Sequence, residues 1–225
     1  MALAVVLAVA LTSCRKDDNP GKNDNNTGTG QNDNSDNNGG GGGNNPPPTG
    51  DAGVVIGGIR WATRNVDAPH TFAATPQDPG MFYQWNSAIG WSATDPMVDS
   101  NGSTLWLSSW FGNNASSWES ANDPCPSGWR VPTANELQTL VYAGSGWTTT
   151  PALGRIFGSG SNTIFLPAAG YRDSSFGTLY QVGGHGDYWS ATRPIIGNFY
   201  GNCLYSGMIT YTDFACGYQI RCIAK

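Results

Sequence analysis

The chain has 225 residues, a formal net charge of −5 and only 12% charged residues, together with nine Trp and 31 Gly. The aromatic content excludes disorder over the whole length, and the low charge is atypical of a cytosolic enzyme surface. Residues 51–225 carry eight Lys or Arg and eleven Asp or Glu with no basic cluster, so the chain lacks the positive stripe that a nucleic-acid partner requires.

The N-terminus has the pattern of a bacterial lipoprotein signal. An apolar run over residues 1–10 leads into Leu11-Thr12-Ser13-Cys14, which resembles a lipobox whose cysteine is lipidated and becomes the mature N-terminus. The run is shorter than the roughly 20 residues of a membrane-spanning helix, which favours a signal peptide. No Lys or Arg precedes it, and the competing interpretation is a short buried segment with an unrelated cysteine. We predict a signal peptide and lipobox at 1–14, with a lipid on Cys14 as the attachment to the membrane.

Residues 15–50 have the composition of a tether. Their first four residues, Arg15-Lys16-Asp17-Asp18, resemble the surface-export signal of lipoproteins in the Bacteroides group; the competing interpretation is simply an acidic start to a linker. The remainder is rich in Asn, Asp, Gly and Pro, and it buries too little apolar area to offset the entropy of ordering. We therefore predict a disordered linker at 15–50 that holds the protein, lipid-anchored in the bacterial outer membrane, at the cell surface.

A folded domain is predicted over residues 51–225, a length that can bury one substantial hydrophobic core. Its first predicted element is a strand at 54–61. A short aromatic segment at 82–89, either helical or turn-like, follows an irregular region with three prolines. Residues 91–124 form a predicted long loop that is rich in Ser, Asn and Trp.

The clearest local signal is a helix at about 133–143. Thr133 lies three residues before Glu136, which is the spacing of a capping box, where each side chain satisfies a backbone N–H at the start of a helix. Apolar residues then recur on one helical face, and Gly144 supplies a left-handed stop. The segment Cys125 to Pro132 leads into this helix.

The last third of the chain predicts short strands. An extended run covers residues 161–171, and Gly, Pro and Ser punctuation separates four further strands. These strands are predicted at 187–193, 198–205, 207–213 and 217–224. A sequence dominated by strands with one or two helices belongs to the α+β class.

Six phrases of the domain occur in the order of a known family. They are Ile59 to Val66, Phe82 to Ala88, Cys125 to Thr133, Leu166 to Arg172, Gly186 to Thr192, and Ile220-Arg221-Cys222. Together they resemble the Fibrobacter succinogenes major paralogous domain (FISUMP) of secreted and lipid-anchored bacterial proteins, over most of residues 54–225. The resemblance implies a fold similar to C-type lectins and to the formylglycine-generating enzyme, and it implies no general activity.

Four cysteines lie in the predicted domain, and an even number suggests disulfides in an oxidising compartment. The FISUMP resemblance implies a bridge between Cys125 and Cys222, because cysteines at these two places recur in the family. Lectin-like domains nest a second bridge inside the first, which implies Cys203–Cys216. The alternative is that two or more of these cysteines are free thiols.

His185 and Asp187 are the candidates for acid–base or metal chemistry. They lie in the run Gly183-Gly184-His185-Gly186-Asp187 and could serve as a general base with its orienter, or as two metal ligands. The alternative is a glycine-rich turn with a polar surface histidine.

Other catalytic and metal patterns are weak. The only two glutamates are Glu119 and Glu136, and no motif pairs either with a second carboxylate for glycoside hydrolysis. The Glu-Pro-Asn, Gln-Pro-Asp and Trp-Asn-Asp motifs of calcium-dependent lectins do not occur in the sequence. We predict that the protein is not an enzyme and uses no metal or cofactor.

Tryptophans among Ser and Asn suggest a binding surface. Flat indole rings beside polar side chains suit stacking on sugars, and the candidates are Trp106, Trp110, Trp118 and Trp147. The alternative is that most of these rings fill the core. We predict a non-enzymatic surface lipoprotein whose lectin-like domain binds a glycan or a surface protein. The alternatives are an accessory or tip subunit of a surface fibre, and a hydrolase or metal enzyme that uses His185 and Asp187.

Overall fold

The structure is a computed structural model that describes residues 50–195 and 199–225. The predicted signal peptide, the lipidation of Cys14 and the linker up to residue 49 lie outside the described residues. Within the described ranges, no helix has the length and apolar character needed to span a membrane.

Short antiparallel strands around one α-helix make up the described domain, which confirms the α+β prediction. The strands are β1 (Val54–Ile56), β2 (Ile59–Trp61), β3 (Phe82–Tyr83), β4 (Gly90–Trp91), β5 (Trp129–Arg130), β6 (Ser145–Thr148), β7 (Gly154–Ser159), β8 (Asn162–Pro167), β9 (Tyr171–Arg172), β10 (Leu179–Tyr180), β11 (Asp187–Trp189), β12 (Tyr200–Tyr205), β13 (Met208–Asp213) and β14 (Ile223–Ala224). The helix α1 is Ala134–Tyr142, and two short 3-10 turns lie at Gly112–Asn114 and Ser120–Asn122.

The first and last strands of the domain share one sheet. Its order is β1-β2-β14-β5, and Ile223 of β14 pairs with Trp61 on one side and Arg130 on the other. Two three-stranded sheets, β6-β7-β8 and β11-β12-β13, and two two-stranded pairs, β3-β4 and β9-β10, complete the fold. The helix packs against β7, β12 and β13.

Three elements differ between the prediction and the structure. The predicted strand at 54–61 is a hairpin, since Gly57 and Gly58 turn the chain at φ values of +60° and +80°. The predicted helical or turn-like segment begins instead as strand β3, which pairs with β4. The hairpin of β6 and β7 was not predicted.

The helix begins as the capping box predicts. Glu136 N donates to Thr133 Oγ1 at 3.3 Å, and Thr133 N donates to Glu136 Oε2 at 2.7 Å. Arg130 adds a two-pronged contact to the same carboxylate, with an Nη1–Oε2 distance of 2.9 Å. Burial by itself would raise the pKa of Glu136, but the hydrogen bonds from Arg130 and Thr133 outweigh it and lower that pKa.

One buried arginine near the C-terminus joins distant segments. Arg221 donates from Nε to Asn65 Oδ1 at 2.9 Å, and from its two terminal nitrogens to the carbonyl oxygens of Ala62 and Phe165 at 3.1 and 3.0 Å. Burial lowers the pKa of Arg221 to about 10. One buried side chain thus donates to oxygens of three segments that are far apart in sequence.

The cysteines confirm one predicted bridge and correct the other. Cys125 and Cys222 form a disulfide between residues 97 positions apart. Cys203 is instead a buried free thiol, so the predicted Cys203–Cys216 pairing is wrong. Cys203 lies on the central strand of its sheet, paired with Trp189 and Thr210, and its side chain packs in the aromatic core as a small apolar group. Burial raises the pKa of this thiol.

Removal of the Cys125–Cys222 bridge should destabilise the domain strongly. A loop of about this length is expected to contribute about 4–5 kcal/mol through the lost entropy of the unfolded chain. Urea unfolding of a Cys125→Ala/Cys222→Ala variant under non-reducing conditions measures the change. Cys203→Ala is the control, and its free energy of unfolding should fall much less. Equal losses in the two variants would contradict a dominant role for the bridge.

The capping carboxylate should make helix stability depend on pH. Because folding lowers the pKa of Glu136, its contribution is present above the unfolded value of about 4.3 and is lost as the pH falls through the folded pKa. Glu136→Gln should therefore be less stable than wild type at neutral pH, with the difference shrinking in acid. Unfolding measured between about pH 3 and pH 7 tests this, with Arg130→Gln/Glu136→Gln as the partner variant in a double-mutant cycle. A constant offset across that range would rule out the carboxylate as the cause.

Candidate functional site

Of the predicted ligand-binding tryptophans, Trp118 belongs to the core and Trp110 packs against it. Trp118 is buried, its Nε1 donates to Asn122 O at 2.9 Å, and its ring packs edge-on against Trp85. Trp110 is half-buried and donates to Trp85 O at 2.7 Å. Both indoles therefore hold the long loop against the domain.

Trp106 also has a packing role. Its ring lies against Trp91 with a centroid separation of 4.9 Å, and its Nε1 donates to Ser174 O at 3.1 Å. The ring packs so closely on Gly177 that a Cβ there would come within 2.6 Å of it. Each of these three indoles is therefore buried or half-buried and packed against other side chains.

Trp147 differs from the other three. It lies on β6 and is 45% exposed. Its cross-strand partner on β7 is Arg155, so the two side chains project from the same face of the hairpin. An indole and a guanidinium are thus presented side by side.

An open depression, here called the His185 cleft, adjoins this hairpin. It encloses about 260 Å³ of empty space including its mouth. Its described lining consists of Trp147, Gly154, Arg155, Phe157, Leu166, His185, Gly186, Tyr188, Leu204 and Gly207. Much of that space is open solvent at the mouth, so the depression is shallow and does not engulf a small molecule. The cleft therefore suits a ligand that rests on its surface.

A tight turn brings His185 to the cleft. Gln181 has a φ of +58°, and its carbonyl accepts hydrogen bonds from Gly184 N at 2.9 Å and His185 N at 3.3 Å. At Gly186 a Cβ would lie 2.3 Å from Pro167 O, so only glycine allows the chain to pass β8 there. The glycine-rich turn was predicted as the alternative to a site, and here it is what positions the histidine.

His185 contacts Asp187 at the edge of the core. Its Nδ1 lies 3.3 Å from Asp187 Oδ2, and the side chains are 16% and 0% exposed. The imidazole is parallel to the Tyr171 ring at a centroid distance of 6.2 Å, and the Tyr205 ring lies tilted against it at 4.9 Å. Because Nδ1 faces the carboxylate, Nε2 is the nitrogen available to a ligand.

Asp187 is an unusually costly group to bury. Desolvation raises its pKa, and the hydrogen bond and charge of His185 offset that rise only in part. Its second oxygen, Oδ1, has no hydrogen-bond partner among the described residues. Buried carboxylates with perturbed pKa values concentrate at functional sites.

Arg155 carries unused hydrogen-bonding capacity beside this pair. One terminal nitrogen donates to Ser145 Oγ at 3.1 Å, whereas the buried Nε has no partner within the described ranges. No carboxylate in the described part of the chain pairs with this guanidinium. Neither Arg155 nor Tyr205 was predicted as a site residue, because β7 and β12 have no motif that marks them. Only the register of the β6–β7 hairpin shows that Arg155 lies beside Trp147.

The cleft is better equipped for binding than for covalent catalysis. Among the described residues that line it there is no Ser, Thr or Cys that could act as a nucleophile beside His185. Over the same described ranges, no group of three or more His, Cys, Asp or Glu side chains is placed to hold a metal ion. An indole face, an imidazole and a guanidinium are the groups that it offers.

No family model, curated protein or solved structure matches the chain. The chemistry of the His185 cleft is therefore the basis for inferring a function.

The buried carboxylate should give stability a pH dependence opposite to that of Glu136. Because folding raises the pKa of Asp187, wild type should lose stability relative to Asp187→Asn as the pH rises from the unfolded value of about 4. Urea unfolding of both proteins between about pH 4 and pH 7 measures this difference. A wild type that gained stability relative to the variant over that interval would show that the pairing with His185 outweighs the cost of burial.

Proposed function

We propose that the domain is a non-enzymatic binding module whose ligand is an extracellular glycan held at the His185 cleft. The observation that carries this proposal is the 45% exposed ring of Trp147 beside Arg155 and an open cleft. An indole left exposed in this way suits stacking against the apolar face of a sugar ring. The neighbouring guanidinium and imidazole provide hydrogen bonds to ring substituents.

The expected affinity is weak. One stacked ring contributes about 0.5–1.5 kcal/mol beyond its buried area, and each hydrogen bond about 1 kcal/mol. A shallow site with one ring and two or three hydrogen bonds therefore corresponds to a dissociation constant near the millimolar range. Weak single sites become effective when many copies act together on a surface.

The setting that we propose is the bacterial cell surface. In this proposal the domain is a C-type-lectin-like member of the FISUMP family, carried on a lipid at Cys14 and a flexible linker in the outer membrane. Support comes from the order of the six sequence phrases, the Cys125–Cys222 disulfide and the sheet shared by the first and last strands of the domain. A tether of this composition would let many copies reach one glycan surface.

A hydrolase is the second candidate. The observation in its favour is the buried Asp187 carboxylate at Nδ1 of His185, an arrangement that orients a histidine for proton transfer. We rank it below binding because the described lining offers no nucleophile, so His185 would have to activate a water. Release of reducing ends from a bound glycan, lost in His185→Ala, would favour this candidate.

Trp147→Ala should weaken glycan binding by about three- to tenfold, because it removes the stacking surface. Trp147→Phe should retain part of the affinity. Binding to an immobilised glycan panel identifies a ligand, and calorimetry with that ligand measures the change.

Phe176→Ala is the matched control, because this ring is 80% exposed and does not line the cleft. Unchanged binding in Trp147→Ala, or an equal loss in Phe176→Ala, would show that the ligand sits elsewhere.

A further inference from the structure

We propose that the His185 cleft selects acidic sugars, that is, glycans whose pyranose ring carries a carboxylate. This inference rests on the proposed glycan-binding function and narrows it to one chemical class. Three features of the described part of the cleft carry it: an arginine without a carboxylate partner there, a lining that contains no acid, and the placement of that arginine beside the exposed indole.

The guanidinium of Arg155 has a positive charge that no described carboxylate neutralises. Arg130 and Arg172 each contact a carboxylate, at 2.5 and 3.3 Å, whereas no described carboxylate pairs with Arg155. Among the described residues, its buried Nε has no acceptor, and its Nη1 donates to Ser145 Oγ. A carboxylate on the cleft can accept charge-assisted hydrogen bonds from the terminal nitrogens of this guanidinium.

The other described lining residues carry no negative charge that would repel an anion. Among the described residues of the cleft there is no Asp or Glu. The nearest acid, Asp187, is fully buried behind His185 and in contact with its Nδ1. His185 therefore stands between that carboxylate and the ligand, and offers Nε2 as a further polar contact.

The strand register places the Trp147 indole and the Arg155 guanidinium close enough for one monosaccharide to contact both. Trp147 and Arg155 are directly opposed across β6 and β7, which sets their Cβ atoms about 4.5–5.5 Å apart. In a uronic acid the carboxyl group is bonded to the ring itself. One monosaccharide can thus lie on the indole while its carboxylate reaches the guanidinium, and a ring lying flat needs no deep pocket.

The test uses matched pairs of ligands. Oligomers of galacturonate, glucuronate and mannuronate are titrated into the protein by calorimetry, each beside its methyl ester, which keeps the ring and removes the charge. At least one free acid should bind about tenfold more tightly than its ester. The preference should shrink as salt is added, because an ion pair at an open cleft is screened.

Variants assign the preference to Arg155. Arg155→Gln should bring the acid and its ester to within about twofold, and Arg155→Lys should retain part of the preference because it keeps the charge but loses the fork. Arg60→Gln is the matched control, since Arg60 also lies on a hairpin strand and does not line the cleft. Circular dichroism of each variant confirms that it is folded.

Each other outcome overturns the inference. If acids and esters bind equally and Trp147→Ala weakens both, the domain binds glycans without selecting charge, and only the inference fails. If no glycan of either kind binds, the proposed function fails with it. Tighter binding of a peptide with a free C-terminal carboxylate than of its amide, without uronate binding, would replace the sugar with a peptide ligand.

Discussion

The segment Arg221-Cys222-Ile223 ties together parts of the chain that are far apart in sequence. Its backbone pairs with β2 and β5, its cysteine is bonded to Cys125, and its guanidinium meets carbonyls 56 and 159 positions away. None of these contacts is local, so the chain must close long loops before the central sheet forms. The disulfide reduces that entropy cost in the unfolded state, and the arginine satisfies carbonyls at the junction of the sheets.

The candidate site depends on this junction through β8. Phe165 O accepts a hydrogen bond from Arg221, while Pro167 O, at the end of the same strand, accepts one from Tyr188 and closely contacts Gly186. Strand β7 of the β6–β7 hairpin pairs with β8 along its whole length. The two walls of the His185 cleft are therefore attached to one strand that is itself held by the buried arginine. A binding site assembled on strands keeps its side chains better positioned than one built on loops alone.

Few buried side-chain polar atoms in the described core lack a hydrogen-bond partner, and two of them lie at the His185 cleft. Of the five buried side-chain atoms without a hydrogen bond in the described ranges, Arg155 Nε and Asp187 Oδ1 belong to the candidate site. Elsewhere the buried arginines are satisfied by backbone oxygens, as Arg172 is by the carbonyls of Ser92, Thr94 and Gly177. Structures retain such unsatisfied groups where function benefits from them, because they cost stability and give nothing to the packing.

Features encoded by neighbouring residues were predictable from the sequence. The helix with its Thr133–Glu136 cap, the strands near 200–205 and 208–213, and the α+β class all follow from local spacing and turn residues. The Cys125–Cys222 pairing came from a family resemblance rather than from spacing. Local pattern could not separate Trp147 from Trp106, Trp110 and Trp118, since exposure of an indole depends on which distant segments cover it. The tertiary structure alone decided that Cys203 is a core thiol and that Arg155 and His185 share a cleft, because both facts arise from strand register across long separations in sequence.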